Sequence, residues 1–393
     1  MAILVPWQSL TLSGNNYDSQ GLTDHRFVTL DGMRGVAAIS VMFFHYLLST
    51  SFHIFAHATY AVDFFFVISG IVLTHSYGSR ISRGMTLSQF MKIRIIRLYP
   101  FIMIGSILGT ITFILYAIWS TIKKFRPVDY ILSIISGIII LPYPNHRAVP
   151  AVGEGTFGAP LFPTNIPEWS LFFEILSSIA LFIVIKKRVK SQYIVGSAFI
   201  MLVCAFLHYR SLNLGWGIST MLGGFPRTAF AFFSGVMLYQ IFVGLKGVKI
   251  TINPWIILGT TMVLFLLPSQ RDMYARVMLS PILSILAIFC LIFGMLSRVD
   301  NSKTRQVFVW LGRISYGIYA IHWPLYHVIV VILNRTPWAL GISKAPLALA
   351  CMVAALVILV AHLLTAIIDE PLRRWLIAGR STSPTGLSGA RVP

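Results

Sequence analysis

One apolar segment carries an arginine and a histidine at a spacing suited to proton transfer inside a membrane. His45 follows Arg34 by 11 residues. A helix rises 1.5 Å per residue and separates these side chains by about 16 Å, so we expect Arg34 at the cytoplasmic surface and His45 near mid-membrane. A buried imidazole stays neutral and can accept a proton, which makes His45 the candidate general base. In the alternative interpretation, His45 has only a structural role and forms a hydrogen bond to a backbone carbonyl or a neighbouring hydroxyl.

Two carboxylates also lie inside apolar segments, where an ionised side chain costs about 2.5–3.5 kcal/mol to insert. Asp63 has no basic neighbour in sequence, and His45 on the adjoining helix is its closest candidate partner, in a pair of the Asp–His kind. Glu174 lies two turns deeper than Glu168, among large apolar residues. We expect Asp63 and Glu174 to line a polar cavity that faces outward, while Glu168 serves the dipole of its helix start. A protonated or solvated Asp63 at a helix end is the alternative.

Two further motifs suit ligand binding. Arg94 and Arg97 lie three residues apart on one helical face, and two guanidinium forks side by side suit a phosphate or pyrophosphate. Ordinary anchoring at an anionic leaflet is the alternative. Tyr316, Tyr319 and His322 also share one helical face, where aromatic packing around a satisfied histidine explains the pattern as well as ligand binding does.

The composition of the chain excludes a water-soluble fold. Of its 393 residues, 56% are hydrophobic and only 11% are charged, with a mean hydropathy of +0.79, whereas about a quarter of the residues in soluble domains are charged. The net charge of +19 comes from basic residues in short loops, which predicts anchors at an anionic leaflet and no nucleic-acid partner. The three cysteines lie in apolar runs without metal-ligand spacing, so we predict no metal site.

Apolar runs of helical length predict an all-α, polytopic membrane bundle. The run at 128–142 has only 15 residues, short of the roughly 20 needed to span, which favours a re-entrant or interfacial segment. The predicted spans are 35–55, 59–77, 98–119, 168–185, 192–208, 226–245, 253–269, 277–297, 310–333 and 345–368.

The positive charges predict the orientation. If 128–142 does not cross, 21 Lys and Arg lie inside and ten lie outside, whereas a crossing gives 14 and 17. The positive-inside rule therefore favours ten spans with both termini cytoplasmic. The predicted organisation is a cytoplasmic segment at 1–30, a membrane domain at 31–376 and a cytoplasmic tail at 377–393.

Taken together, these residues resemble the motifs of one enzyme family. They occur in the order and rough spacing of the acyltransferase 3 family of membrane O-acyltransferases, and the resemblance extends over about residues 28–376. Each motif is weak alone, whereas the ordered set is specific. The motifs are Arg34 to His45, Val62-Asp63-Phe64-Phe65-Phe66-Val67, Arg94-Ile95-Ile96-Arg97, Trp169-Ser170-Leu171 with Glu174, and Ser315 to His322.

The resemblance implies a ten-span enzyme of the bacterial inner membrane. Such an enzyme moves an acyl group, usually acetyl, from cytoplasmic acyl-CoA to a hydroxyl of a glycan such as an exopolysaccharide, an O-antigen or a lipid-linked sugar. It implies that His45 is the proton acceptor, with Arg34, Asp63 and Glu174 as further catalytic residues. Arg94 and Arg97 would bind the CoA phosphates. The candidate substrate-binding residues are Trp169, Tyr316, Tyr319 and His322.

Some members of this family carry a fused periplasmic SGNH domain. This chain ends shortly after its last predicted span, so we expect a stand-alone member. Membrane lipids and glycan-assembly proteins are its expected further partners.

Other functions fit the same residues. The acceptor in the first alternative is a lipid or a small molecule of the macrolide type. Embedded His, Asp and Glu also form proton relays in secondary transporters, although transport leaves the Arg94 and Arg97 pair unused. Two reaction schemes are open as well: His45 deprotonates the acceptor for direct attack on the thioester, or a group of the enzyme is acylated first.

Overall fold

The computed structural model describes residues 27–48, 50, 54–119, 127–143, 160–244, 252–267, 286–334 and 345–372. These ranges are mainly helical and contain no strand, apart from an isolated bridge between Pro160 and Gly217, which confirms the predicted all-α class. Nearly all of the predicted segment at 1–30 and all of the tail at 377–393 lie outside the described residues. The helices are α1 (Val28–Leu47), α2 (Thr59–Ser82), α3 (Leu87–Trp119), α4 (Pro127–Ile139), α5 (Glu168–Lys186), α6 (Ser191–Tyr209), α7 (Met221–Gly244), α8 (Pro254–Leu266), α9 (Leu286–Leu296), α10 (Ser302–Leu333) and α11 (Pro346–Leu364).

Seven of the described helices are long and apolar enough to cross a membrane, namely α2, α3, α5, α6, α7, α10 and α11. Helix α1 has 20 residues and rises about 30 Å, the thickness of the hydrocarbon core. Helices α8 and α9 are shorter within the described ranges. Helix α4 has 13 residues and rises about 20 Å, too little to span. The structure is therefore a polytopic helical bundle, and the count of ten spans stays a prediction.

Helix α1 packs along α10 at close range because small residues lie at the contact. A Cβ at Gly32 would lie 2.8 Å from the ring of Phe308, a separation that real Cβ atoms essentially never show. Small residues permit such an approach of helices in membranes. The approach brings Arg34 and His45, near opposite ends of α1, within hydrogen-bonding distance of α10.

Helices α2 and α7 make a second close contact. A Cβ at Gly235 would lie 2.8 Å from the carbonyl carbon of Val67, so a larger residue would force the helices apart. This contact places Asp63 of α2 beside Arg227 of α7.

A proline inside α10 directs one backbone carbonyl to a side chain. Pro324 has no N–H, so the carbonyl of Ala320 four residues earlier has no helical donor. Nδ2 of Asn165 donates to this carbonyl at 2.9 Å. The bond ties the segment before α5 to α10 and thereby positions the start of α5, where several predicted site residues lie.

The predicted orientation can be tested by cysteine labelling in a variant without the three native cysteines. We expect Ser302→Cys to be protected from an impermeant thiol reagent in intact cells and Ser211→Cys to be labelled, because Ser302 adjoins a basic stretch of α10. Both positions should be labelled once the cells are permeabilised. Labelling of Ser302→Cys with protection of Ser211→Cys in intact cells would contradict the orientation.

Candidate active site

His45 and His322 form a direct hydrogen bond inside the bundle. Nδ1 of His45 lies 2.9 Å from Nε2 of His322, and the two rings are stacked with their centroids 5.1 Å apart. His322 is fully buried. Its Nδ1 lies 2.8 Å from the carbonyl oxygen of Tyr319 and 3.1 Å from that of Ile318. The structure thus brings His322, a predicted substrate-binding residue, against the predicted base.

These contacts determine which ring nitrogens carry protons. A carbonyl oxygen only accepts, so Nδ1 of His322 is the protonated nitrogen, and Nε2 of its neutral ring is an acceptor. His45 must then donate through Nδ1–H, which leaves the lone pair of its neutral ring on Nε2. In an Asp–His pair a carboxylate orients the imidazole, whereas here a second imidazole orients the ring of His45.

His45 lines an open pocket of about 750 Å³, which we call the histidine pocket. The ring of Trp323 stands edge-on to His45, with the centroids 5.0 Å apart and an interplanar angle of 80°. The walls are mainly apolar and aromatic, with Thr59, Asn213 and Arg227 as polar members besides His45. The aromatic walls besides Trp323 are Phe44, Trp169, Trp216 and Tyr319.

Asp63 pairs with Arg227 and not with His45. Nε of Arg227 donates to Oδ1 of Asp63 at 2.8 Å, and Nη2 donates to Oδ2 at 2.9 Å, the bidentate geometry of a strong pair. The remaining donors of Arg227 bind one side-chain amide and two backbone carbonyls. The predicted Asp63–His45 pair is therefore wrong, because both carboxylate oxygens are bound by the guanidinium.

Arg227 is a site residue to which the sequence analysis assigned no role. Its side chain is 5% exposed, and its guanidinium carbon lies 5.4 Å from the ring of Trp169, within cation–π range. An ionisable residue in an apolar segment is the signal that selected Asp63, and the same criterion applied to 226–245 would have selected Arg227.

A second open pocket, of about 730 Å³, lies nearer the starts of α1 and α3, and we call it the basic pocket. Arg34, Arg94 and Arg97 line it together with Glu174. Tyr316 of α10 completes this wall, and its hydroxyl donates to the carbonyl of Leu98 at 2.8 Å. The structure thus gathers both arginine motifs of the sequence into one pocket.

Glu174 forms an ion pair with Arg94 and also accepts a hydrogen bond from Ser69 at 3.1 Å. The Arg94 side chain is 5% exposed. The predicted outward cavity shared by Asp63 and Glu174 is wrong, because each carboxylate is bound by a different arginine at a different pocket. Arg97 forms no ion pair within the described part of the chain, so its charge is more available to a ligand than that of Arg94.

Arg34 is held against α10. Its Nε donates to Oγ of Ser315 at 2.9 Å, and its Nη2 donates to the carbonyl of Gly312. A carboxylate oxygen of Asp31 lies 3.5 Å away, and the Arg34 side chain is 19% exposed. Acceptors on α10 thus hold this guanidinium in the wall of the basic pocket, and its position at the cytoplasmic surface stays a prediction.

The two pockets share Val62 and Tyr319, which we call the partition. The hydroxyl of Tyr319 lies 2.7 Å from Oγ of Ser170, and its ring packs on Phe65 with the centroids 5.4 Å apart. Both partition residues are buried. A ligand that extends from the basic pocket to His45 must pass them.

Comparison with known proteins identifies the family of the chain. Residues 27–365 match the family described as the acyltransferase domain of acyltransferase 3 proteins. The chain belongs to the acyltransferase 3 family. It is also similar to "Protein 2 in picA locus" of Rhizobium radiobacter, with 33% identity over 160 residues that make up 38% of this chain and 78% of that protein. No solved structure matches the chain.

The family match covers both pockets, so this multi-pass membrane acyltransferase contains them within its family domain. The family assigned from motif order is confirmed. The catalytic and binding roles of individual residues stay predictions.

In this acyltransferase, removing one charge of the Asp63–Arg227 pair should lower the stability of the fold more than removing both charges. Asp63→Asn leaves the buried Arg227 guanidinium unpaired, at a cost of up to about 3–5 kcal/mol. Arg227→Gln leaves only the partly exposed Asp63 unpaired and should cost less, and the double variant should recover part of the loss. Thermal unfolding of the purified proteins measures the effect.

The exposed Arg313–Glu370 pair supplies the control, since Arg313→Gln should change the unfolding temperature little. A double variant as unstable as the sum of the two single variants would show that the charges are not coupled.

Proposed function

We propose that this chain is an O-acyltransferase of the bacterial inner membrane, which transfers an acetyl group from cytoplasmic acetyl-CoA to a hydroxyl of a glycan. The observation that carries the proposal is the His45–His322 pair. It orients a neutral imidazole at a pocket wall with its Nε2 lone pair available, as a general base requires. Membership of the family supports acyl transfer.

The basic pocket is the proposed donor site. Glu174 neutralises Arg94, and Asp31 lies 3.5 Å from Arg34. Arg97 forms no ion pair within the described residues and supplies the remaining positive charge. Guanidinium forks suit the phosphates of CoA. The pocket lies at the more basic end of the bundle, which the positive-inside rule predicts to be cytoplasmic.

The histidine pocket is the proposed acceptor site. Its three indole rings, from Trp169, Trp216 and Trp323, offer flat apolar faces, and pockets of this kind orient ligands through a few polar groups among apolar walls. A sugar ring has apolar faces and hydroxyls at its edge, so it suits these walls. The aromatic lining also suits a lipid or a macrolide, and the acceptor assay must therefore include all three classes.

The chemistry requires the thioester to pass the partition and reach His45. Nε2 of His45 removes the proton from the acceptor hydroxyl, and the hydroxyl oxygen forms a bond to the thioester carbon. The carbon–sulfur bond breaks, and the CoA thiolate leaves and takes up the proton. His322 accepts the hydrogen bond of Nδ1–H throughout and stabilises the transient imidazolium of His45. Prior acylation of an enzyme group is the alternative scheme.

The proposal is tested with the purified protein in detergent. The protein is incubated with isotope-labelled acetyl-CoA and with glycans, lipids or macrolides, and the products are analysed by mass spectrometry. We expect one labelled acetyl group on a glycan hydroxyl. Label bound to the protein in the absence of acceptor would indicate an acyl-enzyme, and an absence of acetylated product in all three classes would contradict the proposal.

Substitution of the two histidines should separate the base from the residue that orients it. His45→Ala should lower the turnover by about a hundredfold or more. His322→Ala should lower kcat by about tenfold, with little change in the KM for acetyl-CoA, because the donor occupies the other pocket. His322→Gln should restore part of the loss, since an amide can both accept from His45 and donate to a carbonyl.

His362→Ala is the matched control, because His362 lies exposed on α11 against Trp310, and it should have wild-type kinetics. If His45→Ala retains more than about a tenth of the wild-type turnover, His45 is not the general base.

The two arginines of α3 should respond differently. Arg97→Ala should raise the Kd for acetyl-CoA by about tenfold or more without lowering the unfolding temperature, and Arg97→Lys should restore it only in part. Arg94→Ala should lower the unfolding temperature because it leaves Glu174 unpaired, and Glu174→Gln in the same chain should recover part of this loss.

Arg83→Ala removes the same charge from an exposed position outside the pocket and serves as the control for both measurements. An unchanged Kd for acetyl-CoA in Arg97→Ala would show that Arg97 serves only as a membrane anchor.

A further inference from the structure

The guanidinium of Arg227 uses all of its N–H donors inside the protein. Two of them bind the carboxylate of Asp63, and Nη2 also donates to the backbone carbonyl of Thr59 at 3.2 Å. Nη1 donates to Oδ1 of Asn213 at 3.2 Å and to the carbonyl of Leu214 at 2.9 Å. A guanidinium has five N–H donors and no acceptor. Arg227 therefore has no hydrogen bond left for a ligand, although it lines the histidine pocket.

The bond to Arg227 fixes the orientation of the side-chain amide of Asn213, an exposed residue in the wall of the histidine pocket. A guanidinium only donates, so the amide atom that contacts it must be the oxygen Oδ1. The nitrogen Nδ2 then carries two N–H donors, and it donates to no residue that the structure describes. Both donors are available to a ligand in the pocket.

A second polar side chain of this wall is positioned by the same guanidinium. Thr59 is the first residue of α2, and its backbone carbonyl accepts from Nη2 of Arg227. Its side chain lines the pocket, and its hydroxyl has no hydrogen-bond partner within the described part of the chain. One guanidinium thus holds two elements of the chain, which supply a hydroxyl and an amide to the same pocket.

The loop that carries Asn213 has a backbone fixed by two glycines. Gly215 has a φ of +101°, in the left-handed region that favours glycine, and its N–H donates to the carbonyl of Thr220 at 3.1 Å. A Cβ at Gly215 would lie 2.9 Å from the Cα of Gly224 in α7, so the loop packs closely on this helix. The next residue, Trp216, is an aromatic wall of the histidine pocket. One short loop therefore supplies both an amide and an indole to the pocket.

We propose that Asn213 and Thr59 bind a second oxygen of the acceptor, so that the histidine pocket selects a carbohydrate ring. The inference rests on the acyl transfer proposed above, in which His45 takes the proton of one acceptor hydroxyl. An amide N–H donates to a further hydroxyl or to the ring oxygen of a sugar, and the apolar faces of the ring contact the indoles. A long-chain alcohol has a single hydroxyl and would leave the donors of Asn213 unpaired, which disfavours its binding.

The ion pair between Asp63 and Arg227 then serves recognition as a positioning element. Asp63 orients the guanidinium, which in turn holds the amide of Asn213 and the carbonyl of Thr59. The carboxylate also neutralises the positive charge of Arg227. Neutral donors therefore contact the acceptor, and these suit the hydroxyl and ring oxygens of a sugar rather than a phosphate.

Equilibrium binding tests this recognition without an acyl donor. The purified full-length protein, in a detergent without a sugar headgroup, is titrated with the methyl glycosides of glucose, galactose and mannose. Tryptophan fluorescence reports binding, because three indoles line the pocket. Asn213→Ala should raise the Kd of the tightest glycoside by about fivefold or more, and Thr59→Val, which keeps the carbonyl bond to Arg227, should raise it by about threefold. Ser219→Ala removes a hydroxyl from the same loop outside the pocket and should leave the Kd unchanged.

Monodeoxy analogues of the tightest glycoside distinguish a direct contact from support of the loop. For one analogue, the missing oxygen should weaken binding to the wild type by about fivefold and should hardly affect binding to Asn213→Ala, because the contact is already absent there. An equal loss in Asn213→Ala for the glycoside and all its analogues would overturn the proposal, as would a wild type that binds none of the three glycosides. Binding that depends on Asn213 in this way, without any acetyl transfer, would support the proposal and contradict the transfer function instead.

Discussion

The contact between α1 and α10 positions both ends of the proposed reaction path. Glycine at the contact lets the two helices approach until side chains of one bond directly to the other. At one end the approach holds Arg34 on Ser315, and at the other it holds His45 on His322. One packing interaction therefore positions an arginine of the basic pocket and the oriented imidazole of the histidine pocket, and loss of this packing would displace both.

Buried charge constrains the rest of the bundle. Asp63 and Glu174 each bind an arginine from another helix, and each pair crosses a contact between helices that are far apart in sequence. Breaking such a pair from one side lowers the stability of the fold strongly, whereas replacing both residues by a well-packed apolar pair changes the stability little. Their main effect here is to define helix positions: one pair ties α2 to α7 and the other ties α3 to α5. Glu168 is the exception, because no basic side chain is bound to it within the described ranges.

The two pockets differ in chemical character, as the proposed transfer of an acyl group from one pocket to the other requires. Arg97, which forms no ion pair within the described residues, lines one pocket, and the oriented imidazole of His45 lines the other among aromatic walls. The partition of Val62 and Tyr319 lies between them, and the Tyr319 hydroxyl is bonded to Ser170 on α5. A factor that moves the start of α5 would therefore also move the partition. The start of α5, the partition and the proposed reaction path are thus connected through one helix.

The sequence by itself determined the class of the fold, the family and most of the residues at the site. Composition and the lengths of the apolar runs are properties of the chain alone, and ionisable residues in such runs are few enough to be recognised one by one. Tertiary structure alone decided their partners. His45 and His322 are 277 residues apart, and Asp63 and Arg227 are 164 apart. Helix periodicity indicates which face of a helix is polar but not which helix it meets. For this reason the choice of Asp63 as the partner of His45 followed sequence proximity and was wrong. The pairing of Arg227 with Asp63 and the surroundings of Glu168 were found only once the helices were packed together.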